Sequence, residues 1–565
     1  MAEWLGTGLQ NRLQQFDSAR YLTNDESRCR TAGFTFFYEA LPPMQPLARN
    51  ICRDAVRTLC AQARRVIGLA LLILLGGTAS STAMAEERQT LNLDLTEGCD
   101  TTVYLATFLP GKQIYELEGH SALRIVTPYS DTAITWGMFD FNAPHFVYRF
   151  VKGETDYSVA AVPWTPFLYS YVRQRRATVL QKLNLTREQI QRLMALVEEN
   201  LRPENRVYRY NFIADNCATR PLQIIEKAIG QELDLGRTGI YSFDIGDGTT
   251  YRNVMRRYHA NYPWYQFGID LALGDDIDRP VGGSDNMRGL TFAPVLLTKI
   301  LESSTFKATD LSKNDLAKFG ITEPYHYDIS IVSRTINIDE FGSQVQEGSP
   351  GIPPFLWNPE LGRDTPEECR DILPPTPWYL TPMAAMLVLL AISFFVARAV
   401  AVKWRRMRGF YCLFFGANTI VGCIIAFLVF FSEHYATSSN WLILWLNPFA
   451  IIPAITIWTP KRDKLTNLYM ELHEVAMIFM CMAWLFIYQT ANDAFWPWIA
   501  ADFILTFAWT WRDISMAGAT KQQMAEYHER NQQRNSKHRR LWPWRKRETD
   551  YIYEIRDSHP QRNRH

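Results

Sequence analysis

The stretch that decides the fold is Y-N-F-I-A-D-N-C-A-T-R, from Tyr210 to Arg220. Apolar residues follow it at helical spacing, Pro221 fits only a first helical turn and Gly230 offers a stop, so we predict a helix that begins between Cys217 and Arg220. Cys217 then lies at a helix N-terminus, where backbone N–H groups and the nearby Arg220 charge favour a thiolate and a lowered pKa. The alternative is a buried structural cysteine, because free cysteines are often buried.

A thiol nucleophile needs a base, and His120 is our candidate. It opens the β-type run G-H-S-A-L-R-I-V at Gly119–Val126. A histidine on a strand followed by a cysteine at a helix start resembles the circularly permuted papain-like group that contains the lecithin:retinol acyltransferases. The cysteine of that group lies in an Asn-Cys motif, as Asn216-Cys217 does here.

A third group should orient the imidazole. Asp140, Asn142 and His145 are the nearest polar residues after the next strand, and Asp140 or Asn142 is a candidate acceptor for the Nδ1 proton. Ordinary turn roles are the alternative for all three. Asn216 and the N–H groups at the helix start are candidate oxyanion stabilisers.

A wider resemblance covers most of the chain. The motifs that carry it are G-H-S-A-L-R-I, W-G-M-F-D-F (136–141), F-V-K-G (150–153), P-E-N-R-V-Y-R-Y-N-F (203–212) and D-N-C-A-T-R. In this order they resemble the periplasmic domain of the Lnb-type lipoprotein N-acyltransferases of Bacteroidota. The resemblance implies a membrane enzyme that moves an acyl chain from a phospholipid to the N-terminal cysteine of lipoproteins.

Composition divides the chain into a polar body and an apolar C-terminal third, so we expect at least two domains in the 565 residues. The net charge of +1 indicates no particular partner. The nine cysteines contain no C-x-x-C pair, which argues against a zinc ribbon or a thioredoxin-like motif. D-D-I-D at 275–278 is predicted to be surface carboxylates at a turn, because no further metal-ligand spacing accompanies it. We predict no metal and no cofactor.

The first 85 residues form an N-terminal extension and a signal peptide. Arg64-Arg65, an apolar run from Val66 to Leu75 and A-M-A before Glu86 have the three parts of a secretory signal, with an uncleaved anchor as the alternative. Export leaves Cys99, Cys217 and Cys369 on the oxidising side. A bond between Cys99 and Cys369 would keep Cys217 free, but three pairings are open.

Residues 86–347 form the predicted catalytic domain, of α+β class. Short β-type runs at 103–109, 120–126 and 133–136 predict the strands of a small sheet. Thr186 and Gln189 form a capping box before a helix that ends near Leu201. This mixture suits the permuted papain-like arrangement of His120 and Cys217.

A linker at 348–377 leads to an all-α transmembrane bundle of about five helices at 378–511. The apolar runs are 378–402, 409–431, 441–459, 467–488 and 495–511. Basic residues cluster at 403–408, 461–464 and in the tail at 512–565, which places these segments in the cytoplasm. The protein is thus a predicted multi-pass protein of a bacterial inner membrane, with Cys217 facing the periplasm.

Candidate lipid contacts are Arg124 and Arg220 near the predicted dyad, and His434 and Asn440 at the outer membrane boundary, where solvated loop residues are the alternative. The basic, aromatic tail favours contact with anionic lipid over nucleic acid. We therefore expect membrane phospholipid as acyl donor and diacylated lipoprotein as acceptor. A membrane-tethered papain-like amidase acting on peptidoglycan and a non-catalytic envelope scaffold are the alternatives.

Overall fold

The computed structural model of the chain describes residues 88–541, except for 92, 141, 236–248, 282–286, 346–375, 404–405 and 460–462. The predicted signal peptide, nearly all of the linker, Cys369 and the end of the basic tail therefore lie outside the described residues. We call residues 88–345 the N-terminal domain.

The strands of the N-terminal domain are β1 Gln89–Leu91, β2 Thr102–Phe108, β3 His120–Val126, β4 Asp131–Met138, β5 Asp156–Pro163, β6 Thr178–Leu183, β7 Val207–Arg209, β8 Thr305–Lys307, β9 Tyr327–Ser330, β10 Val332–Ile338 and β11 Gln344–Val345. Eight antiparallel strands form the main sheet, in the order β11-β10-β6-β2-β3-β4-β5-β7. A second sheet has the order β1-β9-β8. The predicted strands are confirmed as β2, β3 and β4, but the main sheet is larger than expected because five further strands join it.

Helices cover both faces of the main sheet. The helices of this domain are α1 Phe146–Lys152, α2 Trp164–Val172, α3 Arg187–Leu201, α4 Thr219–Ile229, α5 Tyr251–Tyr258, α6 Pro263–Ala272, α7 Pro294–Glu302 and α8 Lys313–Lys318. Side chains alternate along a strand, so Leu105 packs on the side of α4 and α7, whereas Phe108 packs against α2. The capping box of Thr186 and Gln189 is confirmed at the start of α3, as is the start of α4 after Cys217.

The C-terminal region is helical, with α9 Pro382–Lys403, α10 Arg408–Phe431, α11 Tyr435–Ser438, α12 Ile451–Thr456, α13 Asp463–Ala483, α14 Phe495–Ala517 and α15 Lys521–Leu541. Three stretches of the described chain are long and apolar enough to cross a membrane: Pro382–Lys403, Arg408–Phe431 and the broken stretch Tyr435–Thr456. The expected count of five is not confirmed. The helices α13 and α14 have 21 and 23 residues, but both carry several ionisable side chains.

A polar cluster lies in the core of this bundle. The Asp502 carboxylate is fully buried and accepts hydrogen bonds from Asn418 at 2.9 Å and from the Trp445 indole at 3.0 Å. His473 Nε2 lies 3.2 Å from the same oxygen. Because an unpaired polar group in an apolar core is costly, these contacts fix how the helices pack.

The D-D-I-D turn joins the N-terminal domain to the bundle. Asp275 accepts the backbone N–H groups of residues 488 and 489 at 2.7 and 2.8 Å. Asp278 accepts the Thr490 hydroxyl at 2.9 Å and pairs with Arg252 at 2.9 Å. Both carboxylates are buried, so the expectation of surface carboxylates was wrong; the turn is an interdomain contact.

Candidate active site

Asn216 holds Cys217 at the start of α4. Its side-chain oxygen accepts the backbone N–H groups of residues 218–219 at 2.8 and 3.0 Å. Its amide nitrogen donates to the carbonyls of Phe212 at 2.6 Å and Phe292 at 2.8 Å. Because both donors and the acceptor are used inside the protein, Asn216 positions the cysteine and has no N–H left for an oxyanion.

A break in the sheet makes room for the thiol. Strand β4 pairs with β3 up to Thr135, and its pairing with β5 then shifts register before Met138. Gly137 lies in this bulge with φ of 90°, a conformation that favours glycine. A Cβ atom there would lie 3.7 Å from the Cys217 Cβ and from the Tyr210 ring. The bulge therefore borders the cysteine.

The backbone N–H groups of Ser121, in β3, and of Cys217 itself lie near the Cys217 sulfur and favour its charged form. These N–H groups are the ones that a charged atom at the sulfur position would meet. Ser121 directly follows His120, so the strand that carries the predicted base also contacts the predicted nucleophile. The structure thus brings the two residues to the same end of the sheet.

The His120 imidazole is held by a hydroxyl and by aromatic rings. Its Nε2 lies 2.8 Å from Thr135 Oγ1. The ring stacks on Tyr171 and Phe108 at centroid distances of 6.2 and 6.3 Å, and Phe167 packs edge-on with its centroid 6.5 Å away. With Nε2 bonded to Thr135, Nδ1 is the other ring nitrogen that can serve a thiol.

Asp140 and Asn142 do not contact the imidazole in this structure. Asp140 accepts the Asn142 backbone N–H at 2.8 Å in an exposed turn. His145 is the N-cap residue of α1 with φ of 56°. The partner of His120 is instead Thr135, on the strand beside it. Sequence reasoning missed Thr135 because a threonine in a β-type run has an ordinary structural explanation.

Burial keeps both reacting groups neutral at rest. It raises the pKa of the Cys217 thiol to about 11, although the N–H groups of Ser121 and Cys217 oppose the shift. Burial lowers the pKa of His120 to about 3, and the positive charge of Arg176 adds to this effect. The expectation of a lowered cysteine pKa was wrong, because loss of solvation outweighs the helix N-terminus.

Arg220 does not supply the expected charge to the thiol. Its guanidinium forms a two-point pair with Asp215 and lies 3.6 Å from the Tyr208 ring centroid. The cation that acts on Cys217 is the buried Arg176, which is itself 3.3 Å from Glu116.

A buried carboxylate–imidazole pair lies close to the thiol. His259 Nε2 is 2.6 Å from Glu118 Oε1, and its Nδ1 is 2.7 Å from Gln266 Oε1. The negative charge of Glu118 contributes to the raised pKa of Cys217. In the sequence, Glu118 is marked only by its position two residues before His120. Its partner His259 is 141 residues away, so the pair cannot be predicted from the sequence.

Arg124 lies further along β3. It forms a two-point pair with Asp131 at 2.9 and 2.7 Å, and its guanidinium lies 4.6 Å from the Trp164 ring centroid. Arg124 is therefore engaged by protein groups on the face of the sheet that α2 covers.

His434 and Asn440 connect the N-terminal domain to the bundle. His434 Nε2 lies 2.9 Å from the Phe150 carbonyl. Asn440 is buried, donates to the Leu271 carbonyl at 2.8 Å and accepts from Gln489 at 2.9 Å. Both residues therefore have protein partners at the domain boundary.

No group of three His, Cys, Asp or Glu residues in the described part of the chain has the arrangement of a metal site. The chemistry available at this site is that of a thiol, an imidazole and backbone N–H donors, and it suits nucleophilic catalysis.

Two protein-family models match the chain. The model described as the Lnb N-terminal periplasmic domain matches residues 94–257, which include Cys217 and His120. The model described as the Lnb transmembrane domain matches residues 375–514, which contain α9 to α13 and most of α14. No curated protein and no solved structure matches the chain. The two models together cover more than half of the sequence, which confirms the resemblance to Lnb proteins noted from the motifs. The chain therefore belongs to the Lnb family, with a periplasmic domain, here of helices packed on an antiparallel sheet, followed by a helical transmembrane region.

Proposed function

We propose that this protein is a thiol acyltransferase that moves an acyl chain from a membrane phospholipid to the N-terminal amine of diacylated lipoproteins. The observation that carries the proposal is the position of the Cys217 sulfur near the backbone N–H of Ser121, the residue that follows His120 on β3, in a domain that packs on a bundle with membrane-spanning character. Family membership supports an enzyme.

In the first step, His120 Nδ1 takes the proton from the Cys217 thiol. The sulfur attacks the carbonyl carbon of a phospholipid ester, and the bond from that carbon to the glycerol oxygen breaks. His120 returns the proton to the leaving alkoxide, which departs as a lyso-phospholipid. The enzyme now carries a thioester.

The backbone N–H groups of Ser121 and Cys217 are the proposed oxyanion donors. They lie near the sulfur and favour charge there, so a tetrahedral carbon bonded to that sulfur would place its oxygen nearby. Fixed N–H donors in a site that excludes water stabilise such charge strongly.

In the second step, the lipoprotein amine attacks the thioester carbon. His120 accepts a proton from the attacking nitrogen, the carbon–sulfur bond breaks, and the sulfur leaves as a thiolate that takes the proton back. The products are an amide and the free thiol of the starting enzyme.

Burial raises the pKa of Cys217 to about 11 and lowers that of His120 to about 3, so a free thiolate–imidazolium pair is unfavourable at rest. Proton transfer to His120 therefore has to accompany the attack of the sulfur on the carbonyl carbon, where the N–H donors stabilise the developing charge. A thioester in the same buried site is shielded from water until the acceptor arrives.

The test uses purified full-length protein in phospholipid nanodiscs without acceptor. One acyl chain should appear on the peptide that contains Asn216-Cys217, and neutral hydroxylamine should remove it. A diacylated peptide with a free N-terminal cysteine should then discharge it into a triacylated product. His120→Ala should slow acylation by about 10²–10⁴-fold.

Cys217→Ser should form no thioester, whereas Cys99→Ser serves as the matched control, because Cys99 is a half-buried cysteine of the same domain with no disulfide partner among the described residues. If inserted wild-type protein forms no adduct and cleaves muropeptides, an amidase replaces our proposal. If neither reaction occurs, the scaffold alternative replaces it.

We further propose that the domain faces the periplasm from a bacterial inner membrane and that α13 and α14 complete five spans. A reporter fused after Arg408 should then be cytoplasmic, and one inserted within 435–438 periplasmic. The reverse pattern would place Cys217 away from exported lipoproteins.

A further inference from the structure

A short helix at the domain boundary is strongly apolar on its outer surface. No residue of α1 is buried, and Val147, Tyr148 and Phe150 are 73%, 54% and 48% exposed. Such exposure is unfavourable in water and favourable at a lipid surface. This surface belongs to the domain that holds Cys217.

Helix α1 is attached to the end of a membrane-crossing helix. Three carbonyl groups at its C-terminus, those of residues 150–152, accept hydrogen bonds from residues 432–434, directly after α10. The distances are 2.9 Å from His434 Nε2 to Phe150, 2.9 Å from Ser432 Oγ to Val151 and 2.8 Å from the Glu433 N–H to Lys152.

Two further contacts fix this attachment. The Tyr148 ring lies 6.0 Å from the Phe427 ring of α10. A Cβ atom at Gly153 would lie 3.1 Å from the Glu433 Cβ, so the backbone approaches closely there. Because α10 has the length and composition of a membrane span and ends at Phe431, α1 lies at the end of a candidate span, where a lipid surface is expected.

A series of aromatic rings connects this helix to the thiol. We call Phe150, Phe146, Phe139, Tyr157 and Tyr210 the aromatic ladder. Successive centroids from Phe150 to Tyr210 are 6.2, 5.6, 5.1 and 4.2 Å apart. The last ring borders Gly137, which also borders Cys217.

The reactive end of the ladder stays uncharged. Burial raises the pKa of Tyr157 to about 12 and that of Tyr210 well above its usual value of 10.0. At the membrane end, Arg149 pairs with Asp156 at 2.7 Å, and Lys152 pairs with Glu154. The ladder therefore has apolar surface as its main binding feature and little uncompensated charge for an anionic headgroup.

We propose that α1 and the aromatic ladder bind one acyl chain of a phospholipid and guide its ester to Cys217. The attachment of α1 to the end of a helix with the character of a membrane span identifies the occupant as a membrane lipid. This inference rests on the proposed function for its catalytic role, but lipid binding along the ladder can be tested without catalysis.

The binding test uses full-length Cys217→Ser protein in nanodiscs that contain a phospholipid with a diazirine at the end of one acyl chain. After irradiation, the label should appear on the peptides that contain Phe139 and Phe146–Lys152. Label confined to the membrane helices at 382–517, or no label, would contradict the proposal that the aromatic ladder binds an acyl chain.

The functional test compares acylation of Cys217 by a long-chain phospholipid and by a short-chain, water-soluble ester. Phe146→Asp should lower the ratio of the two rates by about tenfold or more, equal to ~1.4 kcal/mol. Tyr325→Asp is the matched control, since Tyr325 is 75% exposed outside the ladder, and its ratio should match wild type.

Different results would contradict the acyltransferase proposal and the proposal that the aromatic ladder binds an acyl chain. If wild-type Cys217 accepts no acyl group from either donor, the acyltransferase proposal fails, while labelling of α1 would still support the ladder. If wild type is acylated and Phe146→Asp keeps the wild-type ratio, the ladder fails and the acyltransferase proposal stands.

Discussion

The rate of alkylation of Cys217 shows whether burial, which raises the pKa of the thiol, outweighs the helix N-terminus, which lowers it. Iodoacetamide reacts with the thiolate, so its rate follows the ionised fraction. Burial raises the pKa of this thiol from 9.0 to about 11. Two pH units correspond to about a hundredfold smaller thiolate fraction at neutral pH. We therefore expect Cys217 to be alkylated about a hundredfold more slowly in the folded protein than in the unfolded chain, with limited access slowing it further.

The assay follows the Cys217 peptide by mass spectrometry over a range of about pH 6 to pH 11, in detergent-solubilised protein. The same peptide in chemically unfolded protein supplies the reference rate and removes differences in local sequence. The folded rate should keep rising up to the highest pH, whereas the unfolded rate should level off near the ordinary cysteine pKa.

A folded-state midpoint at or below that of the unfolded chain would refute this reasoning. It would mean that the N–H groups of Ser121 and Cys217, together with Arg176, stabilise the thiolate more than burial destabilises it. The site would then hold a thiolate at rest, as the sequence alone suggested.

Three further predictions concern stability, each measured by unfolding in detergent. The pKa of His120 is about 3 in the folded state and 6.5 in the unfolded state, so the unfolded state binds the proton first as the pH falls. The stability of the wild type should therefore drop by up to about 5 kcal/mol between pH 6.5 and pH 3. His120→Gln should lack this contribution, and equal pH profiles of the two proteins would contradict the prediction. Gly422→Ala places a Cβ 2.4 Å from the backbone of Asn447 and should lower the free energy of unfolding by ~1–3 kcal/mol. Gly416, in the same helix, has nothing within 4 Å of an added Cβ, so Gly416→Ala should be neutral or stabilising. The opposite order would mean that α10 shifts freely. Arg252→Met leaves the buried carboxylates of Asp270 and Asp278 without their main partner and should lower the free energy of unfolding by about 3–5 kcal/mol. A loss below about 1 kcal/mol would show that other groups compensate the two carboxylates.

The sequence by itself determined the local features of this protein. Pro221 and Gly230 mark the ends of the helix after Cys217, and the capping box at Thr186 marks the start of another. The apolar, β-type run that begins at His120 predicts a strand. These features depend on residues a few positions apart, so they are visible in the order of the chain.

Only the tertiary structure decided which groups meet at the thiol. The pairing of β3 with β4 sets Thr135 beside His120, and the bulge at Gly137 leaves space for Cys217. A shift of one residue in that register would turn each side chain to the other face of the sheet. Glu118 finds His259 only through packing of distant segments.

The ionisation of the site was also a tertiary property. A helix N-terminus is readable from sequence, but the loss of water around Cys217 depends on the sheet, α4 and the aromatic ladder closing over it. Desolvation is the larger effect here, so the direction of the pKa shift reversed. Likewise, the acidic turn at 275–278 has the composition of a surface loop, and it became buried because the loop at 488–490 supplies the N–H and hydroxyl donors that satisfy it.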